Sequence, residues 1–358
     1  MIEEILNKEN LNKSDIINLL NSDGDDLQLL FDYSTKIKNK YIGNKVHLRG
    51  IIEYSNICSK NCYYCGIRKD NENVNRYILS EEEVIEASKF AYHNGYGSIV
   101  IQTGELQSEN NTKKIEKLLK EIKSLSDNKL GITLSCGEQT EEVYKRWFDA
   151  GAHRYLLRIE SSDKELYEKL HPNNKLHSWQ TRVNCLYALK NIGYQVGTGV
   201  MIGLPFQTNE HLADDILFMK NLDIDMCGMG PYIEHEDTPL FQYKNNLLSL
   251  NERLELSLKM LSVLRIVMKN INIAATTALQ AISTKGREDA IRIAANVVMP
   301  NITPVLYREN YKLYENKPGI NEDCEDSIKS ITRLVQNAEC EISFSEWGDS
   351  KRFKNREK

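Results

Sequence analysis

No stretch of this 358-residue sequence holds the roughly 20 successive apolar residues a helix needs to cross a bilayer. The first residues, MIEEILNKENLNKSD, are charged throughout and lack the apolar segment of an export leader, so a cytoplasmic location is expected. Excess positive charge is missing as well: the formal net charge is -5 and the pI about 5.9. Without clustered Lys and Arg there is no bulk attraction to phosphate backbones or anionic lipid. The composition therefore favours a small-molecule or protein partner, with no nucleic acid and no membrane. Low-complexity linkers and solenoid repeats are also lacking, which argues against a boundary inside residues 47–310.

What is present suits one large soluble fold. A hydrophobic share of 41% beside 27% charged residues fills a sizeable core, and the length fits a (β/α)8 barrel with extensions, a fold of about 250 to more than 400 residues. Residues 1–46 read as short polar helices, an N-terminal helical cap. Apolar runs then alternate with amphipathic stretches, the pattern of βα units. The strand candidates are His47–Tyr54, Ser98–Thr103, Gly131–Ser135, Arg154–Glu160, Gln195–Ile202, Met226–Tyr232, Ile271–Thr277 and Asn296–Met299. Eight such units predict an α/β fold, a TIM-type barrel over 47–311 with its active site at the carboxyl ends of the strands. Residues 312–358 read as an extension with one helix, Asp326–Asn337, no further strand, and a frayed basic tail from Lys351.

Eight cysteines are too few for so long a chain to be a disulfide-stapled miniprotein, so reduced thiols are expected. Cys58, Cys62 and Cys65 fall within eight residues, directly after strand one. Three thiolates at this spacing can hold three irons of a cubane cluster and leave the fourth open to a small molecule. A closed zinc site would need a fourth Cys or His nearby, and none is present. Cys-x3-Cys-x2-Cys with aromatic Tyr64 before the last Cys resembles the radical S-adenosylmethionine (SAM) superfamily. That resemblance implies one 4Fe-4S cluster, SAM chelated by its open iron, and Tyr64 against adenine. Thr103-Gly104-Glu105, ending strand two, looks like a variant of the superfamily sequence that receives the SAM amino group. Met201-Ile202-Gly203-Leu204-Pro205 partly resembles its adenine-contact region.

Strand four alternates with period two, placing Arg154, Leu156, Arg158 and Glu160 on one face, toward the barrel interior. Burying such charges is costly unless they pair with each other or with a ligand, so a ligand site and a self-satisfied salt-bridge network are the two readings. Gly197, Gly199 and Gly203 share one parity and suggest open space inside. Tyr307, Tyr311 and Tyr314 are spaced as one helical stripe, and Gly286-Arg287-Glu288 reads as an anion site or a surface cap. Cys136, Cys185 and Cys227 read as small core residues.

Taken together, the cysteine loop through Arg68, Arg154 to Glu160, Arg182-Val-Asn-Cys185, Gly203-Leu-Pro-x-Gln207-Thr208, Thr276-Thr277-Ala278 and Ala295 to Pro304 resemble the HydE maturases of FeFe-hydrogenase from about Arg49 to Tyr314. The resemblance implies reductive SAM cleavage to a 5′-deoxyadenosyl radical that attacks a cysteine-bound iron carbonyl cyanide complex. Glu160 and Arg182 would contact SAM. Arg154, Arg158, Thr133, Ser135, Met226, Thr276, Thr277 and Tyr307 would line the cavity for this organometallic or amino-acid-derived substrate. Transient contacts with an electron donor and other maturation proteins are implied too. Some relatives carry three further cysteines near the carboxyl terminus; here Cys324 and Cys340 stand apart, so one cluster is expected. Methylornithine synthase, biotin synthase and a non-catalytic iron-sulfur scaffold are the competing readings.

Overall fold

The apolar runs become short strands: β1 Lys45–Ser55, β2 Ser98–Thr103, β3 Gly131–Ser135, β4 Arg154–Leu156, β5 Gln195–Thr198, β6 Met201–Ile202, β7 Met226–Cys227, β8 Gly230–Pro231, β9 Asn272–Ile273, β10 Val297–Val298 and β11 Glu341–Ser343. In this computed structural model, which describes residues 2–356, the main sheet runs β10-β1-β2-β3-β4-β5-β7-β9, with β11 beside β1. Every neighbour is parallel. Its ends meet where Ala275 N–H donates to Val297 O and Asn296 N–H to Ile273 O, both at 2.9 Å, closing the barrel. Helices cover the outside, as the βα alternation requires.

Two strand candidates are split because backbones approach closely there. A Cβ on Gly199 would lie 2.0 Å from Gly228 O, and the pair β5–β7 gives way to the separate pair β6–β8. Strand four stops at Leu156, short of Glu160, which turns left-handed at φ 64°. The inward glycines do not leave open space. The position above Gly197 is filled by Met226 and Leu156, and that above Gly203 by Arg253.

The N-terminal helices Lys13–Leu20 and Gly24–Tyr41 flank the barrel's side, against helices Asn209–Leu222 and Leu250–Val267. Residues beyond 311 serve both barrel ends. Residues 312–322 cross the mouth, helix Cys324–Asn337 packs beside Gly286–Ile293, and β11 extends the sheet at the start of β1, a strand the sequence did not announce. Residues 344–350 then pass beneath the barrel base. The tail forms helix Lys351–Arg356, docked by Arg352 and Arg356 on Asp223 and by Arg356 on Asp225, where fraying was expected; residues 357–358 lie outside the described residues. The tyrosine stripe is interrupted, since the helix Val305–Arg308 tightens to a 3-10 turn ending at Tyr311. Arg287 is buried and donates to Ala275 O at 3.3 Å, so it is no surface cap.

Candidate active site at the barrel mouth

β1 hands the chain to the cysteine loop, and buried polar side chains set that loop's shape. The Asn56 amide donates to Asn75 O at 2.8 Å and Asn310 O at 2.7 Å. Arg76 donates to the carbonyls of Asn56 and Ile67, both at 2.8 Å. Cys58, Cys62 and Cys65 between these anchors are free of disulfides. Burial, then neighbouring Cys58, pushes the Cys62 thiol up to about 12; burial also raises Cys58 and Cys65. Thiols held this way keep their protons until a metal cation replaces them. Among the described residues no three His, Cys, Asp or Glu side chains converge as ligands of a single ion. A cubane takes one thiolate at each of three corners, a wider spacing than one zinc demands.

The second strand end closes on the same loop. Ser59 N–H donates to Glu105 O at 2.7 Å, and Gly104 N–H to Ser55 O at 2.7 Å. A Cβ on Gly104 would meet Ile57 O at 2.4 Å and Cys58 Cβ at 2.9 Å, so only glycine lets this turn pass. Glu105 N–H then donates to Cys58 Sγ at 3.3 Å, joining Thr103-Gly104-Glu105 to the first cysteine.

Beside it lies a buried quartet with two charges of each sign. Lys60 Nζ is 3.0 Å from Glu105 and 2.8 Å from Glu138, and Arg182, in the first turn of helix Trp179–Ile192, is 2.7 Å from Glu138 and 3.6 Å from Glu105. Burial raises the Glu105 carboxyl while Arg182 opposes it. Sequence reasoning found Glu105 and Arg182 but missed Lys60 and Glu138. The signal was available: Gly137-Glu138 follows β3 as Gly104-Glu105 follows β2.

Arg158 and Glu160 pair at 3.0 Å, and the Arg158 guanidinium donates to Val200 O at 2.9 Å. Tyr64 donates its hydroxyl to His171 Nε2 at 3.1 Å, while His171 Nδ1–H donates to Tyr167 O at 2.7 Å. Met201 and Tyr64 pack on one small apolar cluster with Leu166, Leu170 and Leu204. Two buried polar atoms here, Arg158 Nε and Tyr167 OH, have no hydrogen-bond partner among the described residues. Native proteins rarely leave such atoms unpaired, and a polar ligand bearing carboxylate and hydroxyl groups would satisfy them. The residues fit a three-cysteine cluster with SAM.

Not every predicted cavity residue lies at this end. Arg154 starts β4, at the barrel base, where it bonds Asp349 and Trp347 O of the C-terminal segment. Thr133, paired with Arg154 in register, and Met226 line a slot with room for about a single water, and Met226 Sδ accepts from Arg49 at 2.9 Å. Tyr307 turns away from the interior, donating to Glu83 at 2.8 Å and packing with its ring tilted against Tyr77. Ser135 ends β3 one pleat above Thr133. Thr276 donates to Met229 O at 3.3 Å, and Thr277 Oγ1 meets the Tyr314 hydroxyl at 2.6 Å.

The Radical SAM superfamily model matches residues 52–219, from the end of β1 to the helix after β6. The FeFe-hydrogenase maturase subunit HydE of Thermotoga maritima is 43% identical over 309 residues, 86% of this chain and 85% of that protein. The chain belongs to the HydE family of radical SAM enzymes. Its cofactors are accordingly a 4Fe-4S cluster and SAM. The 3-methylornithine synthase of Methanosarcina acetivorans is 29% identical, covering 94% of this chain and 91% of its own. A crystal structure of methylornithine synthase superposes with TM-score 0.80 at 25% identity, covering 96% and 97% of the two chains. This HydE-family chain thus has the parallel barrel of its superfamily. No helix among the described residues is long and apolar enough to cross a membrane.

Proposed function

We propose that this HydE-family chain assembles the two-iron subcluster of FeFe-hydrogenase, acting on a cysteine-bound iron carbonyl cyanide complex. The observation that carries the reading is the mouth itself, where the cysteine loop lies beside the buried quartet and the Arg158–Glu160 pair. When bound, the reduced cluster and SAM supply a 5′-deoxyadenosyl radical. Cys58, Cys62 and Cys65 would hold one iron each. Glu105 and the carbonyls of Thr103 and Gly104 would accept from the SAM ammonium, and Arg182 would pair with its carboxylate. Tyr64 and Met201 would flank adenine, with Glu160 accepting from a SAM hydroxyl. Arg158, Ser135, Thr276 and Thr277 would face the second substrate. An electron donor and other maturation proteins would dock transiently.

Anaerobic reconstitution followed by dithionite and SAM should release 5′-deoxyadenosine, and activation of apo-FeFe-hydrogenase with the other maturation proteins should depend on the chain. No 5′-deoxyadenosine would remove the radical reading. Its release without hydrogenase activation would move the assignment to an amino-acid mutase, which the opposed charges of the chamber also suit.

A further inference from the structure

The N-terminal helix Gly24–Tyr41 lies against the end of helix Gly286–Ile293 and satisfies its last carbonyls with three side chains. Ser34 Oγ donates to Ile293 O at 2.8 Å, Thr35 Oγ1 to Arg292 O at 3.5 Å and Lys38 Nζ to Ile291 O at 2.5 Å. For orphan carbonyls of a helix end, neutral donors suffice. Lys38 Nζ also lies 3.2 Å from Cys340 Sγ, where the chain passes from helix Cys324–Asn337 into β11. The two residues are sealed in, at 1% and 8% exposure, and Cys340 is free of any disulfide.

A buried ammonium needs a carboxylate to offset its desolvation. The hydrogen-bond partners of Lys38 among the described residues are instead a carbonyl and a thiol. Burial lowers the Lys38 amine; Cys340 opposes this, while the Arg265 and Arg292 guanidinium groups add to it. A neutral amine still donates to Ile291 O and can turn its lone pair to the sulfur. The chemistry at the barrel mouth uses neither residue, since β11 pairs with the start of β1 and the cysteine loop follows its end.

We propose that Lys38 and Cys340 are a modification site, joined by a reversible N–O–S cross-link when the protein meets dioxygen. One oxygen atom inserts between Nζ and Sγ, forming the N–O and O–S bonds. One N–H and the S–H bond break, and both hydrogens leave with the second oxygen atom as water. Nitrogen and sulfur give two electrons each, and dioxygen takes all four. A dithiol reductant reverses the step, returning amine, thiol and a further water. The flexible lysine stem closes the remaining gap. Such a bond ties together residues 302 positions apart and restrains the unfolded chain as a disulfide does. The two terminal segments are thereby stapled while the enzyme is oxidised. The proposal is independent of the substrate assigned above.

Reconstituted full-length enzyme is divided, one half kept anaerobic and the other exposed to isotopically heavy dioxygen, and both are digested without reductant for mass spectrometry. The aerated half should yield the Lys38 and Cys340 peptides joined, heavier than their sum by one heavy oxygen less two hydrogens. The anaerobic half should yield them separate. Dithiothreitol should part the joined peptides and lower the melting temperature of the aerated protein by about 2 °C or more. Cys340→Ser keeps a hydroxyl beside Lys38, hence the packing, and should show neither the joined peptide nor the shift; Lys38→Met should likewise lack both. A wild-type Cys340 that stays unoxidised, or that is oxidised to sulfenic or sulfinic acid without a bond to Lys38, overturns the proposal. A joined peptide whose opening leaves the melting temperature unchanged overturns the staple.

Discussion

At the scale of single residues, the mouth depends on backbone positions with little freedom. Gly104 is one: the Cβ of Gly104→Ala would sit 2.4 Å from Ile57 O, a clash costing about 1–3 kcal/mol that only a shift of the cysteine loop relieves. Iron retained per chain after reconstitution should fall, as should 5′-deoxyadenosine yield. Glu160 is another, left-handed without being glycine. Such a residue persists only where its surroundings impose it. Ile159 N–H donates to Thr198 Oγ1 at 3.0 Å on one side, and Ser162 N–H to Asp215 Oδ1 at 2.6 Å on the other. Burial, opposed by Ser162, pushes Asp215 up to about 7. With an unfolded value near 4, the native state holds this proton more tightly, so its contribution to stability is lost as pH rises from about 4 to 7. Asp215→Asn should abolish that slope, and melting temperatures of both proteins across this range would show whether the difference between them shrinks with rising pH. Asp215 was not legible as a site residue, because nothing in a helical Asp-Asp pair reveals which side chain is buried.

At the scale of elements, local signals were read well where backbone chemistry is local. β2 and β3 have the bounds their apolar runs set, and the helix between β1 and β2 starts at a capping box of Ser80 and Glu83. The C-terminal segment was misread because its partners are distant. Residues 344–350 look like a polar tail, yet among the described residues Asp349 is the one carboxylate paired with the Arg154 guanidinium, which is fully buried. Burial alone would raise Asp349; His153, Arg154 and Gln195 overcome it and hold the carboxyl well below its ordinary range. Its stabilisation is therefore present above pH about 4 and lost as pH falls below it. Asp349→Asn should destabilise the protein by about 3–5 kcal/mol at neutral pH by leaving Arg154 unpaired. Denaturant titration would measure this, and SAM cleavage at a temperature where the variant is folded should be unaffected, since the cysteines lie at the opposite end. Loss of cleavage there would mean that Arg154 reaches the chamber after all.

At the scale of the whole molecule, the barrel separates two tasks along the strand direction. The carboxyl ends carry the cysteine loop, the quartet and the crossing residues 312–322, while the base is shut by the tail. Parity along β4 reaches only from Arg154 to Leu156, where the strand ends, and Arg158 and Glu160 meet at the mouth on irregular backbone. Parity is silent about depth, and Arg154 went to the base while Arg158 and Glu160 went to the mouth. The sequence by itself determined the cluster loop, the order of βα units and the family, because close-spaced thiols and apolar periodicity need no distant partner to be read. Only the tertiary structure decided that Lys60 and Glu138 join Glu105 and Arg182, that Lys317 reaches Glu53 across 264 positions, and that Tyr307 faces outward. Each of these joins residues that chain connectivity leaves far apart, and only barrel closure together with the path of the C-terminal segment brings them within reach.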